Sequence, residues 1–425
     1  MPSDRRTVVA VVGGGFAGVA LTRRLERDAG VRVRLLSEEN YVTYNPLLGE
    51  VVGASILPGH VVAPVRQMIR RAEFHMVRVT GVDLKARRLH YEGMRRGTLS
   101  YDALVLACGV RANLDLVPGM AEHAFPLKTL GDALHLRNRV LDRLEHAEME
   151  PDAARRRRLV TFVVVGGGFS GVEVAGEIND FVRAASRYYP RIDASGCKVT
   201  LIHSRDRLLG EISPGLGHYA LRKMRRAGVE VCLNARVALV HEAGVELVSG
   251  TSISAGTVIC TIGTAPHPLI EQLPLPKQGG AVETRPDMSV PGHPGVWALG
   301  DCAAVTNAHD GKSAPPTAQL AVREAAQLAE NLRRSIRGLP VRPFRHRSRG
   351  QLASIGHNKA VAQVFGLRLS GFPAWLLWRG FYLLKIPTLA RKVRIFIEWN
   401  WEMLFPPDIV HLRFTRTRRG GDPRT

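Results

Sequence analysis

The chain has 425 residues, of which 45% are hydrophobic, and a formal net charge of +21. This length allows two or three domains with cores of their own, and the apolar fraction excludes a disordered chain. The polar segment from Met1 to Arg6 predicts no secretory signal. The apolar run from Gly371 to Ala390 is excluded as a membrane-spanning helix because it contains Arg379, Lys385 and two prolines.

The cysteines supply no redox or metal motif. No two of the five have C-x-x-C spacing. An odd number of cysteines without a signal peptide fits a reducing compartment. No group of His and Cys residues has the spacing of metal ligands, so no metal site is predicted.

The first predicted element is a buried parallel strand from Val8 to Val12, followed by G-x-G-x-x-G and a helix from about Ala17 to Arg27. In this motif the glycines allow a tight turn and a close backbone approach to a pyrophosphate, whose charge is stabilised by the helix N-terminus. The residues assigned to this first dinucleotide site are Gly13, Gly15, Phe16, Ala17 and Gly18.

An acid for the ribose of this dinucleotide follows the second predicted strand, Val31 to Leu36. Glu38 comes 20 residues after Gly18, where an acid takes the ribose hydroxyls. Glu39 fits the same role, and a solvated turn acid is the alternative for both.

Three further elements precede the second motif. A buried strand is predicted from Tyr101 to Gly109, whose final glycine permits close backbone approach. A helix is predicted from Leu130 to Glu148. The polar segment from Pro151 to Arg158 contains four consecutive arginines and is predicted to be a linker or an exposed turn.

A second copy of the motif begins 153 residues after the first, behind the β-branched run from Thr161 to Val165. One such motif is a weak signal, but two indicate two dinucleotides on one chain. The economical interpretation is one bound redox dinucleotide and one exchanging nicotinamide. The second-site residues are Gly166, Gly168, Phe169, Ser170 and Gly171.

Two later strands end in polar residues. The strand from Lys198 to Ile202 ends in His203-Ser204-Arg205, and the strand from Gly295 ends in Gly300-Asp301. Asp301 can cap the following helix and can accept a hydroxyl of a flavin ribityl chain. A later helix opens at Pro315 to Gln319.

The C-terminal part is basic and aromatic. From Arg342 to Thr425 there are 16 Lys/Arg against 4 Asp/Glu, together with Trp375, Trp378, Trp399 and Trp401. Such a mixture suits the headgroup layer of an anionic membrane. A packed domain with a solvated basic face is the alternative. Nucleic acid is disfavoured because no binding module is recognisable.

These residues resemble the two-dinucleotide-binding flavoproteins and, within them, the type II NADH:quinone oxidoreductases, which are single-chain, non-pumping respiratory dehydrogenases. The resemblance covers roughly Val8 to Leu412. The segments that carry it are Asn40-Tyr41 through Leu48, Gly171 to Glu177, Pro315 to Gln319, Gly350 to Gly356 and Gly366 to Gly371.

The sequence departs from the family at three places. Arg323 stands where A-Q-x-A-x-Q has its second glutamine, which leaves the identity of the quinone open. Ser37 stands where the first acid often occurs. In the second unit, His203 and Arg205 replace the acid of NADH-specific members and could receive a 2′-phosphate. NADH and NADPH therefore both remain open.

The resemblance implies FAD on the first unit, NAD(P)H on the second and a membrane quinone as acceptor. It implies catalytic roles for Glu173, near the nicotinamide, and for Gln319, which faces the flavin and the quinone channel. A first-turn acid that suits the helix dipole is the alternative for Glu173. Further expected contacts are Pro46, Gly109, Asp301 and Ala318 for FAD, and His203, Arg205 and Gly263 for NAD(P)H.

The expected fold is α/β, with two Rossmann-like, glutathione-reductase-like domains and a C-terminal membrane-associating segment. The predicted divisions are 1–120 for the first part of the FAD domain, 121–298 for the NAD(P)H domain, 299–345 for the return to the FAD domain, and 346–425 for the C-terminal region. We expect a peripheral protein on the cytoplasmic face of the inner membrane, with an anionic membrane surface as partner, no nucleic acid, and homodimerisation left open. The rivals are a sulfide:quinone oxidoreductase, a ferredoxin reductase and a low-turnover flavoprotein that serves as a binding module.

Overall fold

The computed structural model describes residues 6–347 and 350–412. The part of the predicted basic tail at Arg349 and after Leu412 lies outside the described residues. Within them, the chain forms a mainly parallel α/β structure followed by a small C-terminal sheet with two helices.

Helices separate groups of strands along the chain. The strands are β1 (Thr7–Val12), β2 (Val31–Ser37), β3 (Tyr41–Thr43), β4 (Val62–Pro64), β5 (Glu73–Met76), β6 (Arg78–Asp83), β7 (Arg88–Glu92), β8 (Gly97–Ser100), β9 (Ala103–Leu106), β10 (Val110–Ala112), β11 (Ala124–Pro126), β12 (Thr161–Val165), β13 (Lys198–Ile202), β14 (Val229–Cys232), β15 (Val237–His241), β16 (Gly244–Leu247), β17 (Ser252–Ser254), β18 (Thr257–Cys260), β19 (Thr264–Pro266), β20 (Lys277–Gln278), β21 (Ala281–Glu283), β22 (Val296–Ala298), β23 (Ala303–Ala304), β24 (Gly350–Ser354), β25 (Ala360–Val364) and β26 (Leu367–Gly371). The helices are α1 (Phe16–Leu25), α2 (Leu48–Val52), α3 (Val65–Met68), α4 (Met120–His123), α5 (Leu130–Met149), α6 (Ala153–Leu159), α7 (Phe169–Ala185), α8 (Pro214–Arg226), α9 (Pro268–Gln272), α10 (Ala318–Ile336), α11 (Phe372–Lys385) and α12 (Leu389–Glu402).

The first large sheet is parallel, in the order β22-β9-β1-β2-β5. Because side chains alternate along a strand, β1 buries both of its faces. Val9 and Val11 pack with α1 and α10, whereas Ala10 and Val12 pack with the meander β6–β8 and with α9. This confirms the buried first strand that the apolar run predicts.

The second large sheet repeats the design in the order β11-β18-β12-β13-β14. One face of β12, represented by Phe162 and Val164, packs with α5, α7 and α8. The other face, represented by Val163 and Val165, packs on the meander β15–β17. Both motifs therefore stand at the carboxyl edge of a parallel sheet, where α/β proteins bind their ligands.

The chain passes between the two large sheets through β10 and β19, which form an antiparallel pair. After β19, the residues Leu269, Ile270 and Val282 pack with the first sheet, and β22 joins that sheet beside β9. These contacts favour a return to the first unit near Thr264, before the predicted division at 299.

The segment predicted as a linker is instead the helix α6. Asp152 caps it by accepting the backbone N–H of Arg155 at 2.7 Å. Arginine is a good helix former, so consecutive arginines extend the capped turn instead of breaking it. The prediction of a linker or turn was therefore wrong.

The C-terminal part packs an antiparallel sheet, β24–β26, against α11, and α12 packs against α11. Trp375, Trp378 and Trp399 are at most 4% exposed and belong to the core around α7, whereas Trp401 is 60% exposed. The expectation that all four tryptophans suit a headgroup layer was therefore wrong for three of them. None of the described helices combines the length and hydropathy that crossing a bilayer requires.

Candidate functional site

The outer glycines of the two motifs share one geometry. Gly13 and Gly166 have φ values of +112° and +120°, a region that L side chains rarely adopt. A Cβ added at Gly18 would collide with the carbonyl oxygen of Gly13, and one at Gly171 with that of Gly166. The first and third glycines therefore bring each strand and its helix together.

The middle glycines face open space. Gly15 and Gly168 occupy the N-cap positions of α1 and α7, and neither helix receives a side-chain cap. An added Cβ at either glycine would have no neighbour within 4 Å. Each motif therefore exposes uncapped N–H groups at a helix N-terminus, which is the arrangement that binds phosphate.

A cavity of about 1280 Å³ starts at the first motif. Ligand pockets usually measure about 300–1,000 Å³, so this cavity has room for more than one ligand. It brings together predicted residues from both units and from the return segment, namely Gly13, Gly15, Phe16, Ala17, Glu38, Pro46, Gly109, Phe169, Ser170, Glu173, Asp301, Ala318 and Gln319. Gly18, Gly166, Gly168, Gly171, His203, Arg205 and Gly263 are not among its lining residues.

Ser37, Glu38 and Glu39, the candidates at the end of β2 for the ribose contact, have different partners. An added Cβ at Gly14 would lie 2.5 Å from the Oγ of Ser37, so Ser37 packs against the glycine turn. The carboxylate of Glu38 pairs with Arg78 at 2.9 Å, and Glu39 accepts the hydroxyl of Tyr41. All three of these β2-end residues line the cavity.

A buried glutamate supports the Asp301 loop. Gly300 has φ +71° and donates its N–H to Glu324 on α10 at 2.7 Å. Burial raises the pKa of Glu324 to about 7. The carboxylate of Asp301 lies 3.6 Å from the Nζ atom of Lys128. Glu324 was not among the residues predicted from the sequence, although an acid on the apolar side of a helix was a usable signal.

At the end of β13, only one of the two residues predicted to bind NAD(P)H, His203, contacts the second glycine motif. The Nδ1 atom of His203 accepts the N–H of Gly167 at 3.1 Å. Burial and the nearby Arg205 lower the pKa of His203, so the imidazole is neutral at pH 7 with its hydrogen on Nε2. The side chain of Arg205 is exposed. Gly263 has φ +68° and packs against Leu116.

Glu173 stands where the two units and the C-terminal sheet meet. Its carboxylate accepts the backbone N–H of Ser354 on β24 at 3.2 Å, and burial raises its pKa to about 8. Tyr382 on α11 lies near it and lines the same cavity. Glu173 is therefore a half-buried acid on the cavity wall, and its catalytic role stays a prediction.

A buried polar cluster that was not predicted from the sequence lies near Glu173. Arg379 on α11 pairs with Glu402 on α12 at 2.9 Å, and its guanidinium lies 3.8 Å from the ring centroid of Trp375. The indole of Trp399 donates to Glu50 on α2 at 2.8 Å. Burial raises the pKa of Glu50 to about 8. The sequence did contain a signal for this cluster, since one charged residue stands inside each of three apolar runs.

The C-terminal part closes the far side of the cavity. Gln351, Phe381, Tyr382 and Lys385 line it, as do Gln319 and Arg323 of α10. His357 lies in the turn after β24, and 40% of its side chain is exposed. The C-terminal part is thus a wall of the site as well as a surface layer.

Residues 7–325 match the pyridine nucleotide-disulphide oxidoreductase family, and residues 348–407 match the NDH2 C-terminal domain. The type II NADH:quinone oxidoreductase NdhA of Mycobacterium tuberculosis is 31% identical, over 92% of this chain and 86% of the relative. A second enzyme of that organism, Ndh, is 30% identical, over 98% of this chain and 90% of the relative. The structure of NDH2 from Plasmodium falciparum in complex with NADH superposes with a TM-score of 0.89, at 20% identity, over 96% of this chain and all of that one.

The chain is thus a pyridine nucleotide-dependent oxidoreductase by fold and by its first 325 residues. It belongs to the type II NADH:quinone oxidoreductase family, since two relatives at 30% identity or more align over most of both chains. This confirms the resemblance and the α/β two-unit fold that the sequence predicted.

Proposed function

We propose that this protein is an FAD-dependent NAD(P)H:quinone oxidoreductase that passes two electrons from NADH or NADPH to a membrane quinone without pumping protons. The observation that carries the proposal is the shared cavity. It joins the first glycine motif, the start of α7 in the second unit and the C-terminal wall. Family membership favours this reading over the ferredoxin reductase and the low-turnover binding module.

FAD is assigned to the first motif. Gly15 leaves open space at the N-terminus of α1, where a pyrophosphate would be held by backbone N–H groups. Glu38 is the acid we assign to the ribose, and Asp301, held by its loop, is assigned to the ribityl chain. Gly109, Pro46 and Ala318 complete the cavity wall on this side. When bound, FAD supplies two-electron chemistry that side chains lack.

The nicotinamide is assigned to the α7 side of the cavity. Phe169, Ser170 and Glu173 line the cavity there, and Gly168 exposes an uncapped helix N-terminus. The second-motif glycines, with Gly263, are assigned to the pyrophosphate and nicotinamide ribose. His203 and Arg205 are assigned to the adenosine ribose.

The quinone is assigned to the C-terminal side. Gln319 and Tyr382 present an amide and a hydroxyl among the apolar side chains of that wall, which suits a flat ring with two carbonyls. Arg323, which stands in place of the usual glutamine, lines the same cavity.

A peripheral membrane position is also proposed, on the cytoplasmic face of the inner membrane. Large exposed apolar side chains concentrate around α11 and α12, and they include Phe372, Leu376, Leu384, Leu389, Phe396, Ile397, Trp401 and Leu404. Exposed Lys385 and Arg394 lie on these two helices, and exposed Arg368 lies on the preceding strand, β26. Apolar and basic side chains together favour an anionic headgroup layer. Such a position would deliver quinone from the bilayer to the wall of the cavity.

Steady-state assays with purified protein test the proposal. The protein should be yellow, release FAD on denaturation and oxidise NADH or NADPH when a soluble quinone is added. A colourless protein that FAD cannot reconstitute would contradict the flavin assignment. A yellow protein that reduces other acceptors but no quinone would contradict the quinone assignment alone.

A further inference from the structure

Two cysteines that are 194 positions apart in the sequence meet at the carboxyl edge of the first sheet. Cys108 follows β9, and Cys302 follows β22, the strand beside it. The Sγ of Cys302 lies 3.5 Å from the carbonyl oxygen of Leu106, and both cysteines pack in one hydrophobic cluster. The thiol of Cys108 donates a hydrogen bond to the sulfur of Cys302. The two thiols are therefore in contact.

The pair of thiols stands between two cavities. Cys108 is half-buried and lines the large cavity that starts at the first glycine motif. Cys302 is 2% exposed and lines a second cavity of about 250 Å³, together with Gln278 and Glu324. A water molecule needs about 30 Å³, and hydrogen peroxide is only slightly larger. Peroxide therefore has room beside Cys302 in a cavity that the glycine motif does not line.

The surroundings of Cys302 favour its thiolate. The pKa of Cys302 is lowered, chiefly by the hydrogen bond from Cys108 and further by the backbone N–H groups of Gly109 and Cys108, although burial acts in the opposite direction. The thiolate is the form of cysteine that acts as a nucleophile. The pKa of Cys108 is raised, so this thiol keeps its hydrogen. One sulfur of the pair is thus suited to attack an oxidant, and the other to resolve the product.

We propose that Cys108 and Cys302 are a peroxide-sensitive pair that closes to a disulfide at the edge of the flavin site. The thiolate of Cys302 attacks hydrogen peroxide, which gives a sulfenic acid and hydroxide. The proton that Cys302 had lost converts the hydroxide to water. The thiol of Cys108 then attacks the sulfenic sulfur, so that the S–S bond forms and a second water leaves. The two thiols lose two electrons and two hydrogens, and one peroxide becomes two waters.

Closure of the disulfide moves the loop that carries Asp301. A disulfide holds its sulfurs about 2 Å apart, closer than two thiols in contact, so Cys302 is drawn toward the end of β9. Asp301 directly precedes Cys302 and is assigned to the ribityl chain, and Gly109 directly follows Cys108 and lines the same cavity. Closure therefore displaces a residue assigned to FAD and weakens FAD binding. This consequence rests on the proposed function, whereas formation of the disulfide does not.

Peptide mapping of the holoenzyme tests the disulfide. Treatment with hydrogen peroxide, followed by alkylation of the remaining thiols, should yield a linked peptide of Cys108 and Cys302 that dithiothreitol separates. Cys197→Ala is the matched control, since Cys197 is also buried but belongs to another hydrophobic cluster, and this variant should form the same link. Absence of the linked peptide from the wild type would overturn the pair. A sulfinic acid on Cys302 with Cys108 still open to alkylation would also overturn it.

Release of FAD on dilution tests the consequence, and the fluorescence of free FAD provides the measurement. In the wild type, peroxide should raise the apparent Kd for FAD about 10- to 100-fold, the effect of losing one hydrogen bond to a charged group, and dithiothreitol should restore it. Peroxide should leave the Kd unchanged in Cys302→Ala and in Cys108→Ala, because neither can form the disulfide. A wild-type protein that carries the disulfide and keeps the FAD affinity of its reduced form would overturn the effect on the flavin site. A wild-type protein that forms the disulfide but never binds FAD would overturn the proposed function and leave the pair standing.

Discussion

The hydrogen bond from the Gly167 N–H to the Nδ1 atom of His203, 3.1 Å long, fixes which end of the imidazole is free. The Nε2–H group points away from the glycine turn and can donate to a hydroxyl or to a phosphate oxygen. It adds no positive charge, since burial lowers the pKa of this histidine. Arg205 is therefore the charged candidate for a 2′-phosphate.

We predict that His203→Glu shifts the preference toward NADH. A carboxylate accepts ribose hydroxyls and repels a 2′-phosphate. One charge-assisted hydrogen bond contributes about 1.5–3 kcal/mol, so the ratio of kcat/KM values should move roughly 10- to 100-fold. His218→Glu, at an exposed position on α8, makes the same charge change and should leave the ratio unchanged. An unchanged ratio in His203→Glu would place the adenosine ribose elsewhere.

Gly15→Val should abolish FAD binding while the fold survives. The backbone at Gly15, with φ −77° and ψ −167°, is open to any residue, and no protein atom lies within 4 Å of the added Cβ. The side chain would enter the space assigned to the pyrophosphate. Absorbance near 450 nm measures FAD content, and circular dichroism measures the fold. Gly215→Val, another glycine with open space, is the control. Full FAD content in Gly15→Val would refute the assignment.

Stability should fall as the pH rises, in part because of Glu50. Burial raises the pKa of Glu50 from 4.5 to about 8, so between these values the folded state keeps a proton that the unfolded state has lost. This stabilisation is complete below about pH 4.5 and is lost as the pH rises through about 8, at roughly 1.4 kcal/mol per pH unit. Glu50→Gln should flatten the fall of Tm between pH 5 and 8, as scanning calorimetry can measure. Exposed Glu246→Gln should keep the wild-type slope, and parallel curves for Glu50→Gln would contradict the prediction.

Phe396→Glu combined with Leu404→Glu should weaken binding to anionic vesicles. Both side chains are exposed, at 55% and 78%, on the surface assigned to the membrane. Point changes are preferable to deletion from Pro373, because deletion would remove the buried Trp375 and Trp378 and expose the core. Flotation of liposomes provides the measurement. Met94→Glu, in the exposed turn between β7 and β8, should float like wild type. Equal binding of wild type to neutral and anionic vesicles would refute the electrostatic part.

The glycine motifs, with the strand before each and the helix after it, were predictable because their signals are local. A β-branched run followed by three spaced glycines specifies a strand, a turn and a helix within about twenty residues. The Arg379–Glu402 pair and its link to Glu50 were not predictable, since these residues are up to 352 positions apart and each looks like an isolated charge in an apolar run. The prediction for the tryptophans was wrong for a related reason. Composition shows that aromatic residues are present but not which helix face carries them.

The burial of Trp297, Trp375, Trp378 and Trp399 leaves Trp401 as the exposed indole among the five tryptophans, all of which lie in described residues. The intrinsic fluorescence of this protein therefore comes from two populations of indole, four buried and one exposed. Four buried indoles should emit at short wavelength and be shielded from quenchers in the lipid phase. A blue shift on adding vesicles, or quenching by brominated acyl chains, would report on one known position at the end of α12. Trp401 is therefore a native fluorescent probe on the surface that we propose contacts the bilayer.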